Sequence, residues 1–573
     1  MENREIAEIL FELADLMELV GIKWKPIAFR KAGRALETMT TPVADIYQKG
    51  GIKALEELPG VGAGIAARIE ELLKTGKLRE YERLKKKIPH GVEEITHIMG
   101  VGPKKAARLY KELGIASIEQ LETAAKTGKI RELAGFGERS EQDILRGIEM
   151  LKRGKERHLL GTVLPIARAL ESRLKELPYV KVAQAAGSVR RRKETVADID
   201  ILVISKKAGA VMDFFTSMPD VEQVLAKGPT KSTVILKNGI QADVRVLEES
   251  SFGAALQYFT GSVEHNVRLR QIAIKKGYKL NEYGLFKRSG EYVAGRTEAE
   301  VYKALGLPYI EPELRENTGE IEAAAKHKLP KLIGYGDIRG DLHVHTNWSD
   351  GMQSIEEMVN AARALGYDYV IISDHSKSQR IAHGMEEKRL LKQLSEIDKI
   401  ARKMPDNFRI FKGLECDILP DGSLDFGNNI LKQLDIVIGS VHSRFKSPAK
   451  EMTRRIVKAL ENPYLTILGH PTGRLINVRE PYAVEFEKIC QAAVENGKWL
   501  EINSYPERLD LKDSHIRIAK SFGAKFVIST DSHHSEHLKY IEYGIAQARR
   551  GWLEKGDVLN ALPLSKVEKL IKR

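Results

Sequence analysis

The chain has 573 residues, enough for about four domains, and 42% of them are hydrophobic, which excludes general disorder. Lysine and arginine number 92 against 79 aspartates and glutamates, a formal net charge of +13; this favours a polyanionic partner such as nucleic acid, although dense charge also suits a thermostable surface. Two cysteines, Cys416 and Cys490, make no disulfide framework and fit a reducing cytoplasm; without an apolar run of spanning length or a secretory leader, the membrane, secreted and fibrous classes fall away.

Residues 1 to about 150 read as short helices broken by glycines, starting with Ile6, Ile9, Leu10 and Leu13 at helical spacing. One motif recurs there, Leu58-Pro-Gly-Val-Gly-Ala-Gly-Ile-Ala66 and Ile98-Met-Gly-Val-Gly-Pro-Lys-Lys-Ala106, each followed by an amphipathic helix. Gly60, Gly62, Gly64, Gly100 and Gly102 allow a tight turn that aims backbone amides at the start of a helix, where the dipole and free N–H groups suit a phosphate. Contacts of that kind grip a DNA backbone without reading its sequence. Leu133-Ala-Gly-Phe-Gly137 is a weaker third copy. The competing reading is ordinary helix turns with C-cap glycines, which two matched copies in a basic chain disfavour.

From about Gly161 the pattern becomes mixed α+β, with strand-like runs at Tyr179–Ala186, Ile199–Ile204, Val234–Leu236 and Val244–Leu247. Asp198-Ile-Asp200 lies on one of these, so both carboxylates face one side while Ile199 and Ile201 face the core. Asp243 sits on a run able to pair alongside. Three carboxylates that repel one another suit two divalent cations and phosphoryl transfer. Upstream, Gly187-Ser188 offers amide and hydroxyl donors to phosphate oxygens, with Arg191 as a charged clamp. A polar, solvent-facing strand edge is the bland alternative.

Gly187-Ser188, Asp198-x-Asp200 and Asp243 resemble the nucleotidyltransferase palm. The segment that follows, Tyr258-Phe-Thr-Gly-Ser262 with Asn266, Arg270 and Lys276-Gly-Tyr-Lys-Leu-Asn-Glu-Tyr-Gly284, resembles the thumb of family X DNA polymerases, similar to DNA polymerase beta. With both hairpins the resemblance covers about residues 1–315. It implies catalysis by Asp198, Asp200 and Asp243 with two Mg²⁺ or Mn²⁺, and nucleotide contacts from Arg157, Gly187, Ser188, Arg191, Tyr258, Phe259, Gly261 and Asn266. Tyr258 and Phe259 would exclude a 2′-hydroxyl, Asn266 would touch the base edge, and Arg270 the template. The hairpin glycines would hold DNA, with room for a monovalent cation. In the family's lyase members a lysine on the first hairpin's helix forms a Schiff base with an abasic sugar; here that position is Arg68, whose guanidinium stays protonated, so no such lyase activity is expected.

Ten of the 15 histidines fall in residues 341–573. Seven strand-like runs follow Gly336, with acids and histidines at their ends: His343, His345, Asp350, His375, Glu415, His442, His470, Asp531 and His533. Residues after successive parallel strands converge at one face of a barrel, and imidazole with carboxylate suits Zn²⁺ or Mn²⁺. These nine exceed one ion's needs and imply two or three. His383, His515, His534 and His537 are read as ordinary histidines. Asp341-Leu-His-Val-His-Thr and the later ligands resemble the polymerase-and-histidinol-phosphatase (PHP) metal-dependent phosphoesterases over about 337–573. That resemblance implies metal-assisted phosphodiester hydrolysis and, beside such a polymerase, 3′-to-5′ exonuclease action, with abasic-site cutting or cleaning of blocked 3′ ends.

The expected architecture is multidomain: a helical lyase-like domain with the first hairpin (1–85), a fingers-type domain with the second (86–150), an α+β palm (151–248), a thumb (249–315), a linker (316–336) and a distorted TIM-like (β/α)7 PHP barrel (337–573). The expected function is short-gap filling in base excision repair by a cytoplasmic monomer acting on gapped or primer-template DNA and dNTPs. Three alternatives stand beside it: a phosphoesterase whose N-terminal half is only a DNA tether, a barrel whose metals merely hold loops, and a small-molecule nucleotidyltransferase.

Overall fold

The computed structural model describes residues 3–571 apart from 23, 40, 41, 87, 89, 97, 99, 100 and 156. Before His158 the described residues form helices and no strand, from Asn3–Leu19 to Glu138–Lys155. Ile6, Leu10, Leu13 and Met17 of the first helix are buried together, the stripe expected of period 3.6.

The palm is a five-stranded sheet in the order Val180–Ala185, Asp198–Ser205, Gln241–Leu247, Lys231–Leu236, Val221–Lys227. Asp198–Ser205 and Gln241–Leu247 run parallel, the other pairs antiparallel. Alternation along Asp198–Ser205 divides two cores. Ile199, Ile201 and Val203 pack with the helices Leu160–Lys175 and Ala208–Thr216, while Leu202 packs with Phe252, Ala255 and Leu256. Asp198, Asp200 and Leu202 therefore share a face, and Phe252–Thr260 covers its Leu202 end. A three-stranded sheet, Tyr278–Asn281, Gly284–Lys287 and Tyr292–Ala294, and the helix Glu298–Ala304 complete the thumb.

The segment read as a linker, 316–336, is instead built into the fold. Glu320, Ile321 and Ala324 are buried on the short helix Glu320–Ala325, and Glu320 pairs with buried His265 at 2.7 Å. Glu316 likewise meets Arg191 at 3.0 Å and Arg550 at 3.1 Å, partners that composition alone does not reveal.

Beyond it, seven parallel strands adjoin in chain order from Gly340–Asp341 to Lys525–Ser529. A parallel bridge between Val344 and Ser532, with the His345 N–H donating to the Ser532 carbonyl at 2.8 Å, brings the last strand back to the first. Barrel and palm share a core: Leu509 and Tyr543, from the barrel's chain, are buried in the palm cluster. Ion pairs Arg168–Glu542 (2.7 Å) and Arg474–Glu194 (2.8 Å) reinforce the contact.

Candidate active sites

Asp200 and Asp243 are directly opposite each other on the two parallel palm strands, and Asp198 lies two residues before Asp200 on the same face. Burial, and then the charge of Asp243, push the Asp198 carboxyl above its ordinary value, while Arg157 opposes the rise. Both Asp243 oxygens are held, one by the Thr233 hydroxyl and the other by the Gln241 amide at 3.0 Å, with Lys231 3.8 Å away. Gly187, at φ +59°, lies so close that a Cβ there would meet Asp200 Oδ2 at 2.9 Å; any side chain would crowd the carboxylate. Asp198, Asp200 and Asp243 form none of the tight ligand sets found among the described residues.

Around it, Arg157 donates to the Thr195 hydroxyl (2.9 Å) and carbonyl (2.6 Å). Ser188 lies in the single turn Gly187–Arg190. Arg191 bonds Glu316 at 3.0 Å and the Thr260 carbonyl, so its guanidinium joins palm to thumb. Tyr258 and Phe259 meet edge to face at 5.1 Å. Gly261, at φ +71°, ends their helix. The Asn266 amide is fixed from both sides: Gln257 donates to its oxygen at 2.6 Å, and its nitrogen donates to the Tyr258 carbonyl at 2.7 Å. Arg270 lines a cavity of about 380 Å³ between the thumb and Glu5. Arg245, not singled out by sequence, is two residues beyond Asp243 and has its guanidinium 4.8 Å from the Phe259 ring centre; period-two alternation from Asp243 was the available signal.

The three glycine hairpins share a pattern of flanking hydrogen bonds. Val61, Val101 and Phe136 donate to the carbonyls of Leu58, Ile98 and Leu133 at 2.9–3.0 Å. The Gly62, Gly102 and Gly137 carbonyls then accept the first bonds of the following helices. Gly60 and Gly135 take φ values of +81° and +82°, where a Cβ is disfavoured; Gly100 lies outside the described residues. Gly62, Gly64 and Gly102 are exposed, and the helix starts after Gly62 and Gly102 carry no side-chain cap. Arg68 is committed to Glu80 (2.6 Å) and the Gly64 carbonyl (2.7 Å), beside the Phe29 ring. Trp24, which the sequence does not mark, is 82% exposed.

In the barrel all nine expected ligands converge. Glu415 lies 2.8 Å from His375, 2.9 Å from His470, 3.3 Å from His442, 3.4 Å from His343 and 3.6 Å from His345. Asp531 is 3.2 Å from His345, and Asp350 is 3.3 Å from His533 and 3.7 Å from His375. Three overlapping sets could each hold an ion: His345, Asp350, His375 and His533; His343, His345 and Glu415; His375, Glu415 and His442. The fit rests on orphaned atoms. His343 Nε2, both His345 nitrogens, His375 Nδ1 and Glu415 Oε2 are buried without hydrogen-bond partners, an arrangement that suits shared cations. Burial, together with His533 and His375, drives the His345 pKa down to about 3, leaving a neutral imidazole with a free lone pair. His383, His515, His534 and His537 belong to none of these sets.

Behind the ligands stand carboxylates that the sequence did not distinguish. Glu501 holds His343 Nδ1 at 2.7 Å and Asp417 holds His442 Nδ1 at 2.5 Å, which leaves Nε2 of each turned to Glu415. Asp374 gathers Thr346, Ser349 and Gln393. Seven of the nine, all but the deeper His343 and His345, line a cavity of about 410 Å³ whose walls include Phe445, Ile381, Arg479 and Arg508.

Fold and sites thus define a nucleotidyltransferase preceded by glycine hairpins and joined to a barrel whose acids and histidines could hold divalent metal. Four family models match: Helix-hairpin-helix domain over residues 1–78, SAM-like Helix-hairpin-helix tandem over 92–149, DNA polymerase beta thumb over 255–316, and PHP domain over 341–505. "DNA polymerase/3'-5' exonuclease PolX" of Bacillus subtilis (strain 168) is 39% identical over 577 residues, covering 100% of both chains. DNA polymerase lambda of Rattus norvegicus is 28% identical, covering 55% of this chain and 56% of its own. A solved polymerase beta of Leishmania infantum in a ternary P/T complex is 26% identical, covers 39% of this chain and 98% of that one, and has a TM-score of 0.32. The chain belongs to the family X DNA polymerases that carry a C-terminal PHP domain. No helix among the described residues is long and apolar enough to cross a membrane.

Proposed function

We propose that the chain is a DNA-directed DNA polymerase that fills short gaps during repair and shortens 3′ ends in its barrel, including abasic or blocked ends. The observation that carries this reading is the presence of two separate ligand constellations in one chain, the palm carboxylates and the nine barrel residues. The full-length relative from Bacillus subtilis is named for the same pair of activities.

Asp198, Asp200 and Asp243 would hold two Mg²⁺ or Mn²⁺, and the nine barrel ligands two or three Zn²⁺ or Mn²⁺; bound there, such ions lower the pKa of the attacking oxygen and neutralise the leaving one. The protein's own groups do the rest. Gly187, Ser188 and Arg157 receive the triphosphate, with Arg191 fixing their turn against the thumb. Tyr258, Phe259 and Gly261 wall the sugar, and the doubly held Asn266 amide presents one orientation to the base edge. The exposed amides beyond Gly62 and Gly102, with a monovalent cation, seat the backbone, Arg270 meets the template, and Trp24 offers a ring for a base to stack on. In the barrel, Arg479 and Arg508 orient a phosphodiester at the cavity mouth. Two buried, unpaired cysteines accord with a reducing cytoplasm, where the chain acts as a monomer.

The test is a gapped duplex incubated with the wild-type chain in Mg²⁺ or Mn²⁺. The primer should lengthen by the gap when dNTPs are present and shorten from its 3′ end when they are withheld. A primer that never lengthens in either metal would leave the N-terminal half as a tether; one that never shortens would remove the nuclease.

A further inference from the structure

Arg550 ends the barrel helix Ile541–Arg550 and is 3% exposed, yet it faces the polymerase. One guanidinium nitrogen donates to Asp513 at 2.5 Å. The other donates to the Arg191 main-chain carbonyl at 2.8 Å and to Glu316 Oε1 at 3.1 Å. That same Glu316 oxygen accepts from Arg191 Nε at 3.0 Å, and Arg191 Nη1 donates to the Thr260 carbonyl. A Cβ on Gly261 would lie 3.0 Å from Arg191 Nη1, so the guanidinium sits directly under the end of the helix that bears Tyr258 and Phe259. Arg191 itself directly follows the turn Gly187–Arg190 beside Asp200.

One carboxylate oxygen is thus shared by two guanidinium groups, one from the palm and one from the barrel. Each charge here is largely out of water, so none can relax without stranding another. We infer that Arg550 and Glu316 are positioning residues of the polymerase: the barrel helix clamps Arg191, and Arg191 sets the separation between the phosphate-binding turn and the sugar-facing helix. The barrel then does more than hydrolyse; it completes the frame of the nucleotide pocket. This rests on the polymerase reading of the palm.

The test uses the full-length chain with Glu316→Gln, Arg550→Lys and, as a control, Arg168→Ala. Arg168 joins the same barrel helix to the palm through Glu542 but has no part in this relay. Each variant is assayed for dNTP incorporation on a gapped duplex, for discrimination between dNTP and NTP, for shortening of a single strand, and for Tm. Glu316→Gln and Arg550→Lys should raise KM for dNTP about 5- to 30-fold, with kcat within about twofold. Sugar discrimination should fall and strand shortening should stay at the wild-type rate. Arg168→Ala should keep the wild-type KM whatever its Tm. If Arg550→Lys fails to fold, Glu316→Gln, which keeps the side chain's shape and removes its charge, decides alone. A folded Glu316→Gln with wild-type KM and sugar discrimination would overturn the inference, as would an equal rise in Arg168→Ala or a parallel loss of shortening. A wild-type chain that incorporates nothing overturns the polymerase reading instead; an active wild type with unmoved variants overturns only the positioning role.

Discussion

Glu298 is the most exacting place to test the energetics of the thumb. It is 6% exposed and accepts from Arg190 at 2.5 and 2.9 Å, from Arg315 at 2.6 Å and from the Tyr309 hydroxyl at 3.2 Å. Arg315 is fully buried. Burial alone would raise the Glu298 pKa; Arg315 and Arg190 outweigh it and hold the carboxyl at about 2 instead of 4.5. Such a depression corresponds to about 3 kcal/mol of native-state stability. Removing one member of a buried ion pair costs about 3–5 kcal/mol by a separate line of measurement, so the two agree. Glu298→Gln should therefore lower the midpoint of palm and thumb unfolding by roughly 6–12 °C, at about 2–4 °C per kcal/mol for a unit of this size. The sign with pH follows from the depressed pKa. The contribution is complete above 4.5 and is lost as pH falls toward 2. The gap between wild type and variant should hold from neutrality to about pH 5 and narrow below it. Scanning calorimetry across that range checks both points; a Glu298→Gln midpoint within a degree of wild type at pH 7 would refute the reasoning.

Other substitutions probe the remaining parts. Leu509→Ala, in the barrel's chain but inside the palm core, should destabilise the palm by about 2–5 kcal/mol, read as a shortened half-life of dNTP incorporation on warming; an unaltered half-life would show that the shared core is not coupled. Arg68, at the position the resemblance assigns to the lyase lysine, is committed to Glu80; borohydride should therefore trap no covalent adduct with an abasic duplex, and a trapped adduct would contradict this. His345 belongs to two of the three ligand sets, so His345→Ala should lower the divalent metal retained after desalting, measured by atomic emission, while primer extension persists.

The parts legible in the sequence were those with local periodicity. Asp198 and Asp200 share a face because strand residues alternate, and the barrel ligands announce themselves by following apolar runs. The third glycine hairpin was legible as a weak copy and makes the same flanking hydrogen bonds as the other two. What was not legible depends on distant partners. Glu501 and His343 are 158 residues apart, and nothing near Glu501 marks it as the group that aims an imidazole. The connector after Arg315 read as a linker because it is charged and rich in alanine. Its Glu316, half-buried, instead pairs with Arg550, and its buried Glu320 pairs with His265; composition counts charges without counting their partners. Trp24 is a lone aromatic and carries no pattern; only its exposure distinguishes it.

Two independent reaction centres in one chain is the central claim, and Asp200→Asn compared with Glu415→Gln on a single gapped duplex tests it most directly. Asp200→Asn should abolish primer lengthening and keep 3′ shortening, and Glu415→Gln should do the reverse. Loss of both activities in either properly folded variant, or loss of neither in both, would contradict it.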